Sequence, residues 1–466
     1  MPIFTAVVSA IGAAFTAVSS FLGGGGLLAG IGGALLKAVI SVGISLLQQA
    51  LAGKPKKPGF SVQGKLQAGG DVPRSILLGN CATAGSLVYA NAWGKAGDSP
   101  NAFLTQVICL ADMPVQGLWG FWVNGEKCTI LWDEPDNDGK GFPVEEYRRE
   151  GRDYLWLHWF DGTQTAAPAF LTDTVARPDD GRPYESTRIG TGCPYVVVTS
   201  LVHEDLWTGF PAFKFELAGL KLYDVSKDSS AGGDGDQRWD DPATWGGDGD
   251  FLPAVQMYNL LRGVTYGGSW LYGLQGVTAA RLPAADWIAA IGKCRQEVDG
   301  LDGPEPQYRS GGEIQVGAPL ADAIEAIATA CAGRPAEVGG VYTLHVGAPG
   351  EAAFTISDAD IISTDEQSFT PFFGLDATVN GVQARYPNPG EAWNIKTAPA
   401  LYRPDLEALD GGRRLMADPT LDMVPYPAQV QRLQLSALEE ARRFQTLMAA
   451  TDGEIVARYF CPRDLI

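Results

Sequence analysis

The sequence predicts a mixed α+β protein, rich in strands and divided into several domains, and three observations carry that prediction. Glycine fills 58 of 466 positions and proline another 30, a composition of turns rather than of long helices. Residues 60–223 set β-branched and aromatic runs between turn clusters such as NDGKG and PDDG. Apolar side chains at helical spacing surface only beyond residue 280. With 45% hydrophobic and 19% charged residues, the chain has material for roughly two to four cores.

The first element is an apolar N-terminal segment. Residues 1–36 carry no ionisable side chain, and Lys37 is the only one up to residue 53. Two runs, residues 3–22 and 27–51, flank the glycines at 23–26. Ile3, Phe4, Phe15, Phe21 and Leu22 stud the first, and Leu27, Leu28, Leu35, Leu36, Leu46 and Leu47 the second. At ~1.5 Å per residue either run reaches across ~30 Å of hydrocarbon. A signal peptide places its cations before the apolar run, whereas here Lys54, Lys56 and Lys57 follow it. A helical hairpin in a membrane fits the lengths and the Gly26/Gly30 spacing. A segment buried against other protein in an assembly best explains such a tail on an acidic chain, since a large apolar surface marks an interaction site.

The remaining elements follow in order. Strands are expected at 86–89, 118–123, 154–159, 195–199 and 213–217, within a β-rich region spanning 54–225. Residues 226–250 hold seven Asp among Gly and Ser and read as an acidic, low-complexity loop at a domain boundary. An α+β region at 251–370 follows. Its helices are expected at 284–298, on Trp287, Ile288 and Ile291, and at 319–332, on Leu320, Ile324, Ile327 and Cys331, with Gly333 as the stop. Strands are expected at 341–346, 353–356 and 375–386. In the last region, 371–466, a helix at 428–450 aligns Val430, Leu433, Leu438, Ala441 and Met448. The strand-like EIVARYF after it shows no partner in the sequence; either the partner lies earlier, or a longer protein continues.

Charge and motifs exclude more than they assign. With 54 Asp+Glu against 35 Lys+Arg, the net charge is −19, unsuited to gripping nucleic acid but compatible with DNA in transit. The seven cysteines form no C-x-x-C and read as free thiols of a reducing compartment. Three histidines, His158, His203 and His345, leave no histidine cluster for metal catalysis. No phosphate-binding loop is present, since Gly292-Lys293 is followed by Cys294 and Trp287 stands where the first glycine belongs. G-x-S-x-G and H-E-x-x-H are absent. His203-Glu204-Asp205 has no nucleophile beside it. Glu134, Asp136, Asp138 and Glu145, with Gly139 between, match the spacing of a calcium loop. The strand-like CTILW before them and Pro143 inside the loop favour a solvated hairpin instead. Calcium is therefore the single cofactor candidate, and the chain reads as non-enzymatic.

Several stretches, taken together, resemble one family. They are PRSILLGNCATAGSLVYAN (73–91), VICLADMPVQGLWGFWVNGEK (107–127), LHWFDGTQT (157–165) and GTGCPYVVVTSLVHEDLWTGFPAFKFELAGLKLYD (190–224). After the acidic stretch come DPATW, AVQMYNLLRGVTYGG and YRSGGEIQVGAPLADAIEAIATACAGRPAEVGGVYTLHVG. The series ends with NGVQARYPNPGEAW, which holds Asn380, Gly381, Val382 and Trp393, and PAQVQRLQLSALEEARRFQ. This order resembles the tail-tip, or baseplate hub, proteins of long-tailed phages, the group of the phage lambda tip attachment protein and the gene transfer agent hubs. The resemblance implies β-barrel or sandwich-like hub domains, a homotrimeric ring at the virion tail tip, and assembly in the bacterial cytoplasm. It also implies contacts with the distal tail protein, the tape-measure protein and other tail-tip and fibre proteins. The length and lack of charge of residues 1–53 add the host membrane as an expected partner. The rival readings are a membrane-inserting or pore-forming protein, which residues 1–53 support, and a tail-associated peptidoglycan hydrolase.

Overall fold

Alternation of burial defines the clearest strand, Phe213–Ala218. Phe213, Phe215 and Leu217 are buried, and Lys214 and Glu216 between them are half-buried. The computed structural model describes residues 67–68, 74–176, 183–207, 211–347, 368–370, 378–451 and 455–462. Within them Phe213–Ala218 lies inside a four-stranded antiparallel sheet ordered Asn80–Thr83, Phe213–Ala218, Gly117–Val123, Glu126–Cys128. A six-stranded sheet runs Gln67–Ala68, Ser86–Ala96, Ser99–Cys109, Tyr195–Leu201, Leu155–Phe160, Phe142–Pro143, with only the first pair parallel.

The two sheets share one apolar core. Ile108, Leu155, Leu157, Val196 and Val198 come from the larger sheet, and Phe121, Val123, Phe213, Phe215 and Leu217 from the smaller. This is a sandwich. The expected barrel alternative gives way because, among the described residues, no sheet closes on itself: the larger one ends in two-residue strands that do not meet. All five expected strands are present, the first extended to Ser86–Ala96.

The second half packs helices Pro253–Arg262, Ala284–Arg295 and Leu320–Ala330 around Tyr258, Leu260, Trp287, Ile291, Ile324 and Ile327. Short hairpins, among them Arg334–Val338 with Val341–His345, close that core. The expected 284–298 helix ends at Arg295 because Glu297–Asp299 pairs with Pro304–Pro306. Helix Pro253–Arg262 was not expected. Every residue from Pro253 to Leu261 is buried, Gln256 and Asn259 included, and these two donate to backbone carbonyls instead of facing water.

Two further differences have local causes. Residues 226–250 are densely bonded rather than a loose acidic loop. Asp224 accepts from the Ser226 amide and hydroxyl at 2.9 and 2.7 Å, and Asp228 caps the next turn through the Ser230 amide. Arg295 joins Asp224 at 2.6 Å to Asp248 at 2.7 Å. Asp250, pushed up to about 6 by burial, accepts from the amides of Leu222 and Gly247. The final helix, expected to reach 450, stops as Pro427–Arg443. Phe444–Thr451 is instead a strand, paired with Ile455–Pro462 and Ser368–Thr370. EIVARYF thus has its partner immediately before it, and Met448 belongs to a strand. The expected 375–386 strand is two short pieces, Gly381–Val382 and Arg385–Asn388. Residues 1–53 and the expected strand at 353–356 lie outside the described residues.

Candidate functional site

The stretch Ser75–Thr83 joins the two halves. Ser75–Leu78 pairs with Gly312–Gln315 of the helical half, and Asn80–Thr83 pairs with Phe213–Ala218 of the sandwich. Gly79 turns the chain between them at φ 56°, a conformation that favours glycine. Its carbonyl accepts from the Gly219 amide at 2.7 Å. A Cβ on Gly79 would lie 2.0 Å from the Ser310 carbonyl oxygen, and one on Gly311 would lie 2.0 Å from that of Asn80. The backbones of the two halves therefore touch directly here.

Glu313 is buried at this junction, 7% exposed, opposite Leu77. Burial pushes its carboxyl up to about 7, against hydrogen bonds from Ser75 and Thr83; the nearby Asp112 adds to the rise. Glu313 and Glu216 also act on the buried Cys81 thiol, which is raised chiefly by its own burial. A carboxyl whose folded value exceeds its unfolded one favours folding at low pH and loses that contribution as pH rises through the folded value. Stability should therefore fall between about pH 5 and pH 8. Glu313→Gln should flatten that slope and stabilise the protein by about 2–3 kcal/mol at the alkaline end. Denaturant titrations across this range check it; an unchanged slope in the variant refutes the assignment.

The family-motif residues form a clasp beside the junction. Asn380 is fully buried: its Nδ2 donates to Asp410 Oδ2 at 2.9 Å and to the Arg413 carbonyl at 2.7 Å, while Oδ1 accepts from the Leu415 amide at 2.8 Å. Gly381 leaves room for Met416, whose sulfur would lie 2.3 Å from an added Cβ. Val382 packs with Val379, Ala417, Leu438 and Ala441, which seats the last helix. Trp393 ends the tip of the hairpin Arg385–Asn388/Asn394–Thr397 and is 1% exposed. With Ala392 it packs on Ala82 and Trp122 of the four-stranded sheet. Both tip residues have left-handed backbone, at φ 53° and 60°, a conformation costing about 1–2 kcal/mol each outside glycine. Lys214 of the sheet donates to the Ala392 carbonyl. The hairpin thus holds the sandwich from outside while Ser75–Thr83 holds it from within.

The calcium-loop carboxylates are divided between two protein cations. Asp136 and Asp138 converge, as their spacing suggested, but on Lys140 Nζ at 3.1 and 2.8 Å. The Lys140 side chain is only 7% exposed and lies 5.2 Å from the Trp156 ring centre. Glu134 pairs with Arg148 at 2.6 Å, and Glu145 opens the separate turn Glu145–Tyr147. Among the described residues no group of three or more His, Cys, Asp or Glu is placed to hold a metal ion. His203 accepts from the Asp205 amide at 3.3 Å and meets the Tyr154 ring edge-on. No described helix is long and apolar enough to cross a membrane. Sequence reasoning missed Gly79, Gly311, Glu313 and Lys140. The visible signals were glycines inside strand-like runs and a lysine two residues after Asp138.

No family model matches the sequence. No curated protein matches it either. Among solved structures, the fold is similar to that of a chain in the virion of a native gene transfer agent particle, at 17% identity and a TM-score of 0.50. The likeness covers 94% of this chain and 93% of that one, so it is the whole arrangement, sandwich and helical half together, that is shared.

Proposed function

We propose that this chain is a structural, non-enzymatic component of a phage-like particle. In this reading it is the hub at the tail tip, where three copies form a ring that closes the tube and opens to pass DNA. The observation that carries the reading is the near-complete span of the likeness to a gene transfer agent virion chain. The motif series supports it, since its pieces include the joints that hold the halves together: Gly79, Gly311 and Trp393. A net charge of −19 suits a conduit that must not retain phosphate. The distal tail protein, the tape-measure protein and other tail-tip and fibre proteins are the partners this position would bring.

Immunogold electron microscopy on purified particles, with antibody against residues 54–466, tests the placement. Gold at the far end of the tail supports it; label on the head, or none, sinks it. Residues 1–53 are assigned to a later step, as a luminal segment that reaches the host membrane on triggering. Deleting them should leave tails assembled and adsorbing while genome delivery is lost. Unassembled tails in that variant would show an assembly role instead.

A further inference from the structure

Cys109 ends the Ser99–Cys109 strand opposite Tyr195, and the Leu110 amide donates to the Pro194 carbonyl at 2.9 Å. The antiparallel register therefore carries Cys193 two residues beyond the strand, diagonal to Cys109. The two thiols are close enough to shift each other, Cys109 upward and Cys193 downward, and Cys109 Sγ donates to the Ala111 carbonyl at 3.4 Å. Cys193 lies in a turn, its amide bonded to the Gly190 carbonyl at 2.9 Å, between that bend and the start of Tyr195–Leu201. Cys294 and Cys331 are likewise in thiol contact, but both are fully buried, whereas Cys109 and Cys193 are half-buried.

We propose that Cys109 and Cys193 form a disulfide by exchange with a small-molecule disulfide once the protein leaves a reducing compartment, and that the bond staples the 190–194 turn to the sandwich. The inference is independent of the tail-tip reading. Cys193 is the attacking sulfur. The nearby Cys109 thiol lowers its own, helped by the Arg74 charge and opposed by burial and Asp112, while the same contact pushes Cys109 up. The Cys193 thiolate attacks one sulfur of the small disulfide and expels a thiolate. Cys109 then gives up its proton, attacks the Cys193 sulfur of the mixed disulfide and expels the second thiolate. One S–S bond forms in the protein and one breaks in the reagent. The protein loses two electrons and two protons, which leave with two small thiols.

The turn is worth stapling because it bridges the halves. Gln164 Nε2 donates to the carbonyls of Gly190 and Cys193, and Thr191 Oγ1 donates back to the Gln164 carbonyl at 3.0 Å. Gly192 rests against Tyr266 of the helical half so closely that an added Cβ would lie 2.6 Å from its ring.

The test uses the purified full-length protein, reduced and then equilibrated with oxidised glutathione. Peptide mass spectrometry without reduction should show the Cys109 and Cys193 peptides joined and two hydrogens lighter, with Cys294 and Cys331 still free. Thermal unfolding of the oxidised form should rise by about 5–10 °C, a gain absent from the Cys109→Ser/Cys193→Ser variant. Free thiols at both positions, or glutathione on each separately, overturns the proposal. A joined pair with no change in unfolding temperature overturns the staple. Both readouts on the unmutated protein stand even where the variant fails to fold.

Discussion

Replacing Trp393 with alanine should cost about 3–5 kcal/mol, the range for removing a large buried aromatic. The indole is 1% exposed and packs across the boundary between hairpin and sheet, on Ala82 and Trp122. Its loss leaves a cavity that the sheet cannot close, because Ala82 and Trp122 are held in register by Phe213–Ala218. The hairpin would then keep its left-handed tip at φ 53° and 60° with no packing to offset it. Denaturant unfolding measures the loss, and limited proteolysis should show new cutting within 385–397. Trp393→Phe should recover part of the stability. A loss under about 1 kcal/mol with an uncut hairpin would show that the clasp contributes little.

Gly311→Ala should be worse, costing more than about 4 kcal/mol or preventing folding. The added methyl would lie 2.0 Å from the Asn80 carbonyl oxygen and 2.7 Å from Asn80 N and C, all backbone atoms that no rotamer change can move. Gly79→Ala meets Ser310 in the same way and adds the penalty of φ 56°. Gly292→Ala supplies the contrast. That glycine is exposed in helix Ala284–Arg295 with nothing within 4 Å of an added Cβ, so alanine should stabilise by about 0.5–1 kcal/mol. Soluble yield and unfolding midpoints for the variants decide the matter; a well-folded Gly311→Ala protein would sink the direct-contact account.

Legibility followed burial pattern. Strands with one face inward, such as Phe213–Ala218, were readable because period two survives in the sequence. Helix Pro253–Arg262 was not read, although Gln256 and Asn259 stand three apart; both are buried and bonded to backbone and so form no solvent face. The acidic stretch read as a low-complexity boundary loop because its order comes from aspartates accepting from nearby amides, which composition does not reveal. FQTLMAAT continues a helical pattern plausibly, and only the strand that follows makes it extended; Asp452-Gly453 between them was the available hairpin signal. Asn380 and Trp393 came from resemblance alone. Nothing in their local spacing announces a buried amide that bonds three backbone or side-chain groups, or an indole that crosses a boundary. Of the calcium-loop carboxylates, Asp136 and Asp138 meet on Lys140 within the loop, while Glu134 pairs with Arg148 and Glu145 opens a separate turn.

The strand that joins the halves also sets an order of events during synthesis. Ser75–Leu78 emerges from the ribosome long before Gly312–Gln315, its hydrogen-bonded neighbour. At about 5–20 residues per second the wait is on the order of ten to fifty seconds. Throughout that interval Ile76 and Leu78, fully buried against the helical half in the finished protein, lack the neighbours that cover them. Both sandwich sheets have all their strands by Ala218, but the joining strand beside them waits for the other half. Chains halted before residue 312 should be captured by chaperones or aggregate through this open edge, whereas chains released past the final helix should not.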